Sequence, residues 1–435
     1  MIVISSVAEK EWRAVWLSLM GLAGNMAMWS VFIMMKETPL VRSINIGVAG
    51  FLVVFGLLSM VRYFPKRQSR DRSSIDQYDE RDHMFARNNL QFHPHMAEQY
   101  YGNHPDKLDI DREIQQKKEL GEPGQTYYDV MCSTAVDTAF IYLAKGRHLS
   151  RGDVAETRMP VDSQTLTDTI KTIGRFHGAV DIGVTKLEDY HLYSHTGRHA
   201  ENWGVKVENK HSYGVVVVVA MDTEMIQEAP TISEILESSR QYVESAKIAN
   251  IIGEFLRLLG YDAKAHTDGN YETVCVPMAV DSGIGELGRM GLFMHREYGP
   301  CVRLSIVTTE AELIPTESQP LYIEEFCAIC KKCADNCPTQ SILHGEERES
   351  RGCRHWAVNQ ETCYSFWKNI GTDCGLCIRS CPYTKPNTLM HKLVRFYISR
   401  NPLNQRFALF FDDLLYGRKV KVRSKNGANP WTHYR

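Results

Sequence analysis

Several common functional signatures are missing from this 435-residue chain. It has no excess of charge of either sign: the net charge is −2 and the pI is near 6.8. The basic surface that a nucleic-acid binder needs is therefore not foreshadowed. No G-x4-G-K-[ST] occurs, so a phosphate-cradling P-loop has no support. No twin-arginine pair precedes an apolar stretch, so nothing argues for export of a folded, cofactor-loaded domain. Histidine is absent before His83, so the apolar N-terminal stretches cannot hold a bis-histidine haem and read as an anchor. Internal repeats are lacking as well.

Cysteine, by contrast, is plentiful and ordered. Of twelve cysteines, four fall at Cys327, Cys330, Cys333 and Cys337, followed by Pro338. That is C-x2-C-x2-C-x3-C-P, the bacterial ferredoxin spacing, in which the fourth thiolate reaches a second [4Fe–4S] cluster. The second run is Cys374, Cys377 and Cys381 with Pro382, and Cys363 lies upstream. The exchange rule gives one cluster Cys327, Cys330, Cys333 and Cys381, and the other Cys337, Cys363, Cys374 and Cys377. Paired C-x2-C knuckles also build zinc sites, but eight thiolates in ferredoxin order with both prolines favour two clusters. Cys132, Cys275, Cys301 and Cys353 are scattered and read as buried or bystander thiols.

At this length most of the chain serves something other than clusters, and two or three domains are expected. Residues 14–35 and 43–61 are free of charge, each long enough to cross a hydrocarbon core of about 30 Å as a helix. With a tight turn around Pro39 they predict a two-helix transmembrane anchor within 1–67. Arg62, Lys66, Arg67, Arg70 and Arg72 follow the second span, and Lys10 and Arg13 precede the first. The positive-inside rule then predicts a multi-pass protein of the inner membrane whose remaining mass faces the cytoplasm.

Residues 68–125 are charged and polar, and predict a linker that becomes a wrapping segment. From 126 to 320 an α/β pattern follows. Helical spacing covers 127–144, 163–176 and 232–259, the last closed by Gly260. Strands are expected at 213–221, buried on both faces, and at 301–309. Residues 321–386 form the cluster domain and 387–435 a C-terminal extension packing on the core. Gly283-x-Gly285-x-x-Gly288 fits the dinucleotide fingerprint in letters, but it follows no clear strand and reads as a tight turn beside another cofactor.

Several stretches carry a resemblance to a known family. Asp79-Glu-Arg-Asp-His-Met-Phe-Ala-Arg87, then Leu258-Leu-Gly-Tyr261-x-Ala263, are the first two. Gly283-Ile-Gly-Glu-Leu-Gly-Arg-Met-Gly291 and Glu297-Tyr-Gly-Pro300-x-Val-Arg303 follow, running into both cysteine runs. Over roughly 75–420 the chain resembles the corrinoid-dependent reductive dehalogenases, relatives of epoxyqueuosine reductase. The resemblance implies a nitroreductase-like corrinoid-binding core fused to a ferredoxin-like domain, with base-off cobalamin and two [4Fe–4S] clusters as cofactors. It puts the proton-donating tyrosine on Tyr242, its supporting arginine on Arg303, a pocket asparagine on Asn270 and an aromatic wall on Trp367. Corrinoid contacts fall on Gly283, Gly285, Gly288, Arg289 and Met290.

The implied reaction replaces a halogen of a small organohalide by hydrogen, using two electrons and a proton. A quinol-linked donor, a ferredoxin or a flavoprotein would supply the electrons, with the lipid bilayer as the other partner and no nucleic acid. Electrons are expected to arrive at the Cys337, Cys363, Cys374, Cys377 cluster and pass through the other to cobalt. Asp189-Tyr-His191 approaches a cobalt-binding D-x-H-x-x-G but ends in Ser194, so His191 reads as an ordinary loop residue. Two other functions fit the same residues: a tRNA-modifying enzyme like epoxyqueuosine reductase, and a non-catalytic iron–sulfur relay subunit of a membrane complex.

Overall fold

The Val-rich run 215–219 needs apolar cover on both sides, and the fold supplies it. In the computed structural model, which describes residues 2–9, 11–34, 39–64 and 74–421, four strands build the central sheet: β1 (Asp181–Lys186), β2 (Tyr213–Ala220), β3 (Ala263–His266) and β4 (Val302–Thr309). Their spatial order is β1-β2-β4-β3, and every pair is antiparallel. Strand residues alternate between faces. Val215, Val217 and Val219 therefore pack with Ile248, Ile252 and Leu256 on one side. Val216 and Val218 pack with Met278, Phe293 and Ile306 on the other.

The helices that position the site are α1 (Trp12–Met34), α2 (Pro39–Met60), α3 (Val130–Lys145), α4 (Ile232–Leu258), α5 (Ile323–Cys330), α6 (Gln360–Ile370), α7 (Leu389–Ile398) and α8 (Pro402–Tyr416). Helix α4 lies across β2, β3 and β4 and also packs on α3. The α/β expectation is met, with an antiparallel sheet at its centre.

Among the described residues, Trp12–Val31 is the one helical stretch long and apolar enough to cross a membrane. Helix α2 contributes a shorter apolar stretch, Ile46–Met60. The expected turn between them includes 35–38, outside the described residues, as do 65–73 of the expected linker and 422–435 of the C-terminal extension.

The wrapping segment is fastened by charge. Arg87, 1% exposed, donates to both Asp111 oxygens at 3.0 and 2.6 Å and to Glu361 at 2.9 Å. A guanidinium fork matched to a carboxylate is the geometry in which a buried ion pair holds. Since Glu361 opens α6, the segment 74–125 is tied directly to the helix that carries Cys363 and Trp367.

Candidate active site

Two periodicities meet at one point. Along β4, Arg303, Ser305 and Val307 share the face turned to α4, because side chains alternate every second residue. Along α4, Ser238, Tyr242 and Ser245 share a face at three- and four-residue spacing. Ser305 accordingly donates to the Ser245 carbonyl at 2.7 Å, and Arg303 donates to the Ser238 hydroxyl. This leaves the Arg303 guanidinium 5.0 Å from the centre of the Tyr242 ring.

Both side chains line a cavity of about 880 Å³. Burial pushes the Tyr242 hydroxyl up to about 12, with Arg303 pulling the other way. Burial works against the charge on Arg303, but Tyr242, Glu234 and Asp373 hold it above its ordinary value. Asp373 lies 3.8 Å from Arg303. Burial, then the facing Asp373, pushes Glu234 upward. One permanent cation is therefore enclosed by a phenol and two carboxyls that hold their protons more tightly than in water.

Trp367 lines the same cavity, in an aromatic group with Phe85 (6.4 Å between rings) and Tyr364 (6.3 Å). Asn270 is placed elsewhere. It donates to the Ser150 hydroxyl at 2.5 Å and is not part of the cavity wall, whereas Asp268 and Gly269 are. The three residues belong to one turn, closed by the Asn270 N–H donating to the Thr267 carbonyl at 2.9 Å. Arg198, which sequence reasoning did not single out, also lines the cavity, with its guanidinium 5.0 Å from the Phe85 ring. It sits in an irregular loop where no periodicity marks it. His191 is not an ordinary loop residue: it is fully buried and paired with Asp281 at 3.0 Å.

Cys327, Cys330, Cys333 and Cys381 lie in one buried cluster of side chains, against which Cys337 and Cys377 also pack. Burial pushes the Cys381 thiol up, with Cys327 and Cys330 adding to it. In the other quartet burial raises Cys363 to about 11 and Cys377 to about 12, with Cys337 adding to both. Among the described residues, no three His, Cys, Asp or Glu groups converge on a single-ion position. A cubane requires no such convergence, since each thiolate binds a different iron.

Gly283, Gly285, Gly288, Arg289 and Met290, where corrinoid contacts are expected, are not among the residues that line the cavity, although Phe293, packed against Gly285, is. Met290 is buried beside Cys327 and Cys330. Arg289 donates to the carbonyls of Cys327, Leu343 and Gly345 at 3.0, 2.6 and 2.9 Å. Gly285 and Gly288 sit where an added Cβ would strike Phe293 and Met294. Gly283, at φ +75, presses on the Ser318 backbone. Between them, Glu286 accepts from the backbone N–H groups of Leu321, Tyr322, Ile323 and Glu324 at the start of α5. The block therefore braces the loop of the first cysteine run. Glu286→Ala would leave these buried donors unpaired. It is expected to destabilise the fold by about 1–3 kcal/mol, read as a lower urea midpoint with earlier loss of iron.

The neighbours of one quartet reach the cavity. Trp367, one turn after Cys363, and Asp373, next to Cys374, both line the cavity. No residue of 321–358 lines the cavity, so the quartet of Cys337, Cys363, Cys374 and Cys377 is the one beside it. Helix α6 is the cause, since it carries its cysteine and its pocket tryptophan on adjacent turns.

The fold and the cysteine runs first define a class, that of iron–sulfur dicluster proteins. A family model described as a 4Fe-4S dicluster domain matches residues 326–385. Around that domain, the chain is similar to reductive dehalogenases. It is 36% identical over 210 residues to the tetrachloroethene reductive dehalogenase of Desulfitobacterium hafniense, covering 46% of this chain and 38% of that one. To the enzyme of the same name from Sulfurospirillum multivorans it is 32% identical over 216 residues, 48% of this chain and 43% of the other. The matches thus span less than half the length of these relatives. Among solved structures, the catabolic reductive dehalogenase NpRdhA aligns with a TM-score of 0.67 at 20% identity, covering 82% of this chain and 49% of that one. The resemblance read from the sequence holds, and the chain has the reductive dehalogenase fold.

Proposed function

We propose that the protein is a corrinoid-dependent reductive dehalogenase, replacing a halogen of a small organohalide by hydrogen. The observation that carries this reading is the Tyr242–Arg303 pair on the wall of a cavity that Trp367, one turn from the proposed cluster ligand Cys363, also lines. NpRdhA has been solved in complex with 3-bromo-4-hydroxybenzoic acid, and another structure of the same fold is described as suggesting a mechanism for B12-dependent dehalogenation. The cavity suits an amide-fringed macrocycle. Ser133, Thr372 and Arg303 line it, and among the described residues their Oγ, Oγ1 and Nε are buried without a hydrogen-bond partner.

A bound corrinoid supplies the low-valent cobalt that reduces the carbon–halogen bond. The chain's own residues do the rest. Tyr242 holds a proton at its phenolic oxygen for the carbon that loses halide, and Arg303 stabilises the tyrosinate that results. Ser238 and Asp373 fix the guanidinium. Phe85 and Trp367, backed by Tyr364, form an apolar stretch of wall that excludes water. Electrons would pass from the Cys327, Cys330, Cys333, Cys381 cluster to that of Cys337, Cys363, Cys374 and Cys377, and on to the cavity. Helix α1, with the apolar stretch of α2, would anchor the protein as a two-span hairpin, its catalytic mass on the cytoplasmic side by the positive charges that follow Met60.

Metal analysis of anaerobically purified, detergent-solubilised protein tests this reading. About eight irons and one cobalt per chain are expected, the load of two [4Fe–4S] clusters and one corrinoid, with halide released from an organohalide under a chemical reductant. Eight irons with no cobalt after exposure to excess cobalamin, and no halide release, would leave an electron-relay subunit instead.

A further inference from the structure

Helices α7 and α8 carry apolar residues on the wrong side for a soluble protein. On α8, Leu403, Phe407, Phe410, Phe411 and Leu414 recur at steps of four, three, one and three. At 3.6 residues per turn they form one stripe about 100° wide. That stripe faces outward: Phe410 is 61% and Phe411 51% exposed. On α7, Leu389, Leu393 and Phe396 repeat the pattern and are exposed too. The opposite faces are apolar as well, since Val394, Ile398, Ala408 and Leu409 pack into the core that contains Cys327, Cys330, Cys333 and Cys381. Single exposed apolar residues are ordinary, but a continuous pair of stripes marks an interaction surface.

Three contacts say what covers it. Asn401 donates to the Val61 carbonyl at 3.2 Å, and Asn404 donates to the Ser59 carbonyl at 2.9 Å. The Tyr63 backbone N–H donates to the Arg400 carbonyl at 2.8 Å. The last carbonyls of α2 lack helical partners, and the corner between α7 and α8 supplies them. Helix α8 also packs against α1. The corner therefore stands at the height where the apolar hairpin ends, and the outward stripes continue its surface. Lys392 and Arg406 are exposed around them. An apolar stripe edged by basic residues is the composition of a helix lying in the boundary between headgroups and acyl chains.

We propose that α7 and α8 lie on the bilayer as an interfacial pair, their apolar stripes in lipid. The inference rests on the reading of α1 and α2 as an anchor, and it adds an orientation. The first cluster quartet lies against the inner face of the same helices, about one helix diameter (~10 Å) from the lipid.

The test uses the full chain, loaded with iron, in nanodiscs of phosphatidylethanolamine and phosphatidylglycerol. A phospholipid with a diazirine on its acyl chain is photolysed, and labelled peptides are mapped by mass spectrometry. Label is expected at 389–396 and 403–414 as well as at 12–31. Phe407→Glu combined with Phe410→Glu should lose label at 403–414 and keep it at 12–31, with iron content unchanged. Should that variant fail to fold, the wild-type map alone decides. Label at 12–31 with none at 389–414 overturns the interfacial pair and leaves the anchor standing, and cross-links between copies through α8 would then assign the stripe to a second chain. No label at 12–31 overturns the anchor itself, and the inference with it.

Discussion

Replacing Tyr242 by Phe is expected to slow halide release about 10²- to 10⁴-fold, the usual worth of a positioned general acid. Iron and corrinoid content should not change. Phenylalanine keeps the ring that packs 5.9 Å from Phe140 and the face under the Arg303 guanidinium, and removes only the oxygen that holds the proton. The pH profile gives a second reading. An acid raised to about 12 by burial stays protonated at every working pH. Its ionisation therefore costs no activity across the pH range measured below, and a basic limb within that range belongs to another group. Initial rates of halide release for both proteins across pH 6–10 (a range of about four units) check this. A Phe variant within a few-fold of wild type would remove Tyr242 from the chemistry.

The largest expected effect on stability comes from Asp111→Ala. Asp111 and Arg87 are each 1% exposed and 2.6 Å apart, so the substitution leaves a guanidinium buried with only Glu361 to face it. Removing one partner of a buried pair costs about 3–5 kcal/mol. The Tyr101 hydroxyl, 3.0 Å from Asp111, also loses its acceptor. Urea unfolding should show a lower midpoint, and the loss should reach the cavity, since Arg87 ties the wrapping segment to α6. A change below about 1 kcal/mol would mean that Glu361 alone satisfies the guanidinium.

The two tests probe residues that became legible in different ways. Arg87 belongs to a stretch that resembles a family segment, yet nothing local shows that it is buried, because its partners lie 24 and 274 residues away. Tyr242 and Arg303 likewise have no pattern of their own in the sequence. Resemblance singled them out, and the crossing of α4 over β4 brings them together. Asn270 shows the limit of matching by letters: two residues of offset in a turn placed Asp268 and Gly269 on the wall instead. The Gly283–Gly291 stretch, expected beside the corrinoid, packs against the first cysteine run. Its glycines relieve close packing, and Glu286 and Arg289 brace the first cysteine loop.

The cysteine spacings and the apolar runs were settled by the sequence itself, because a thiolate set is written in local intervals and a helix stripe in a local period. The two cysteine runs, the α/β character and the apolar helix Trp12–Val31 all follow from such short-range rules. Which quartet adjoins the cavity, which residues line it and where α7 and α8 sit against the anchor were decided only by tertiary structure. Each of these depends on contacts between residues far apart in the chain, and no interval along the sequence encodes the distance between two elements that meet only after folding.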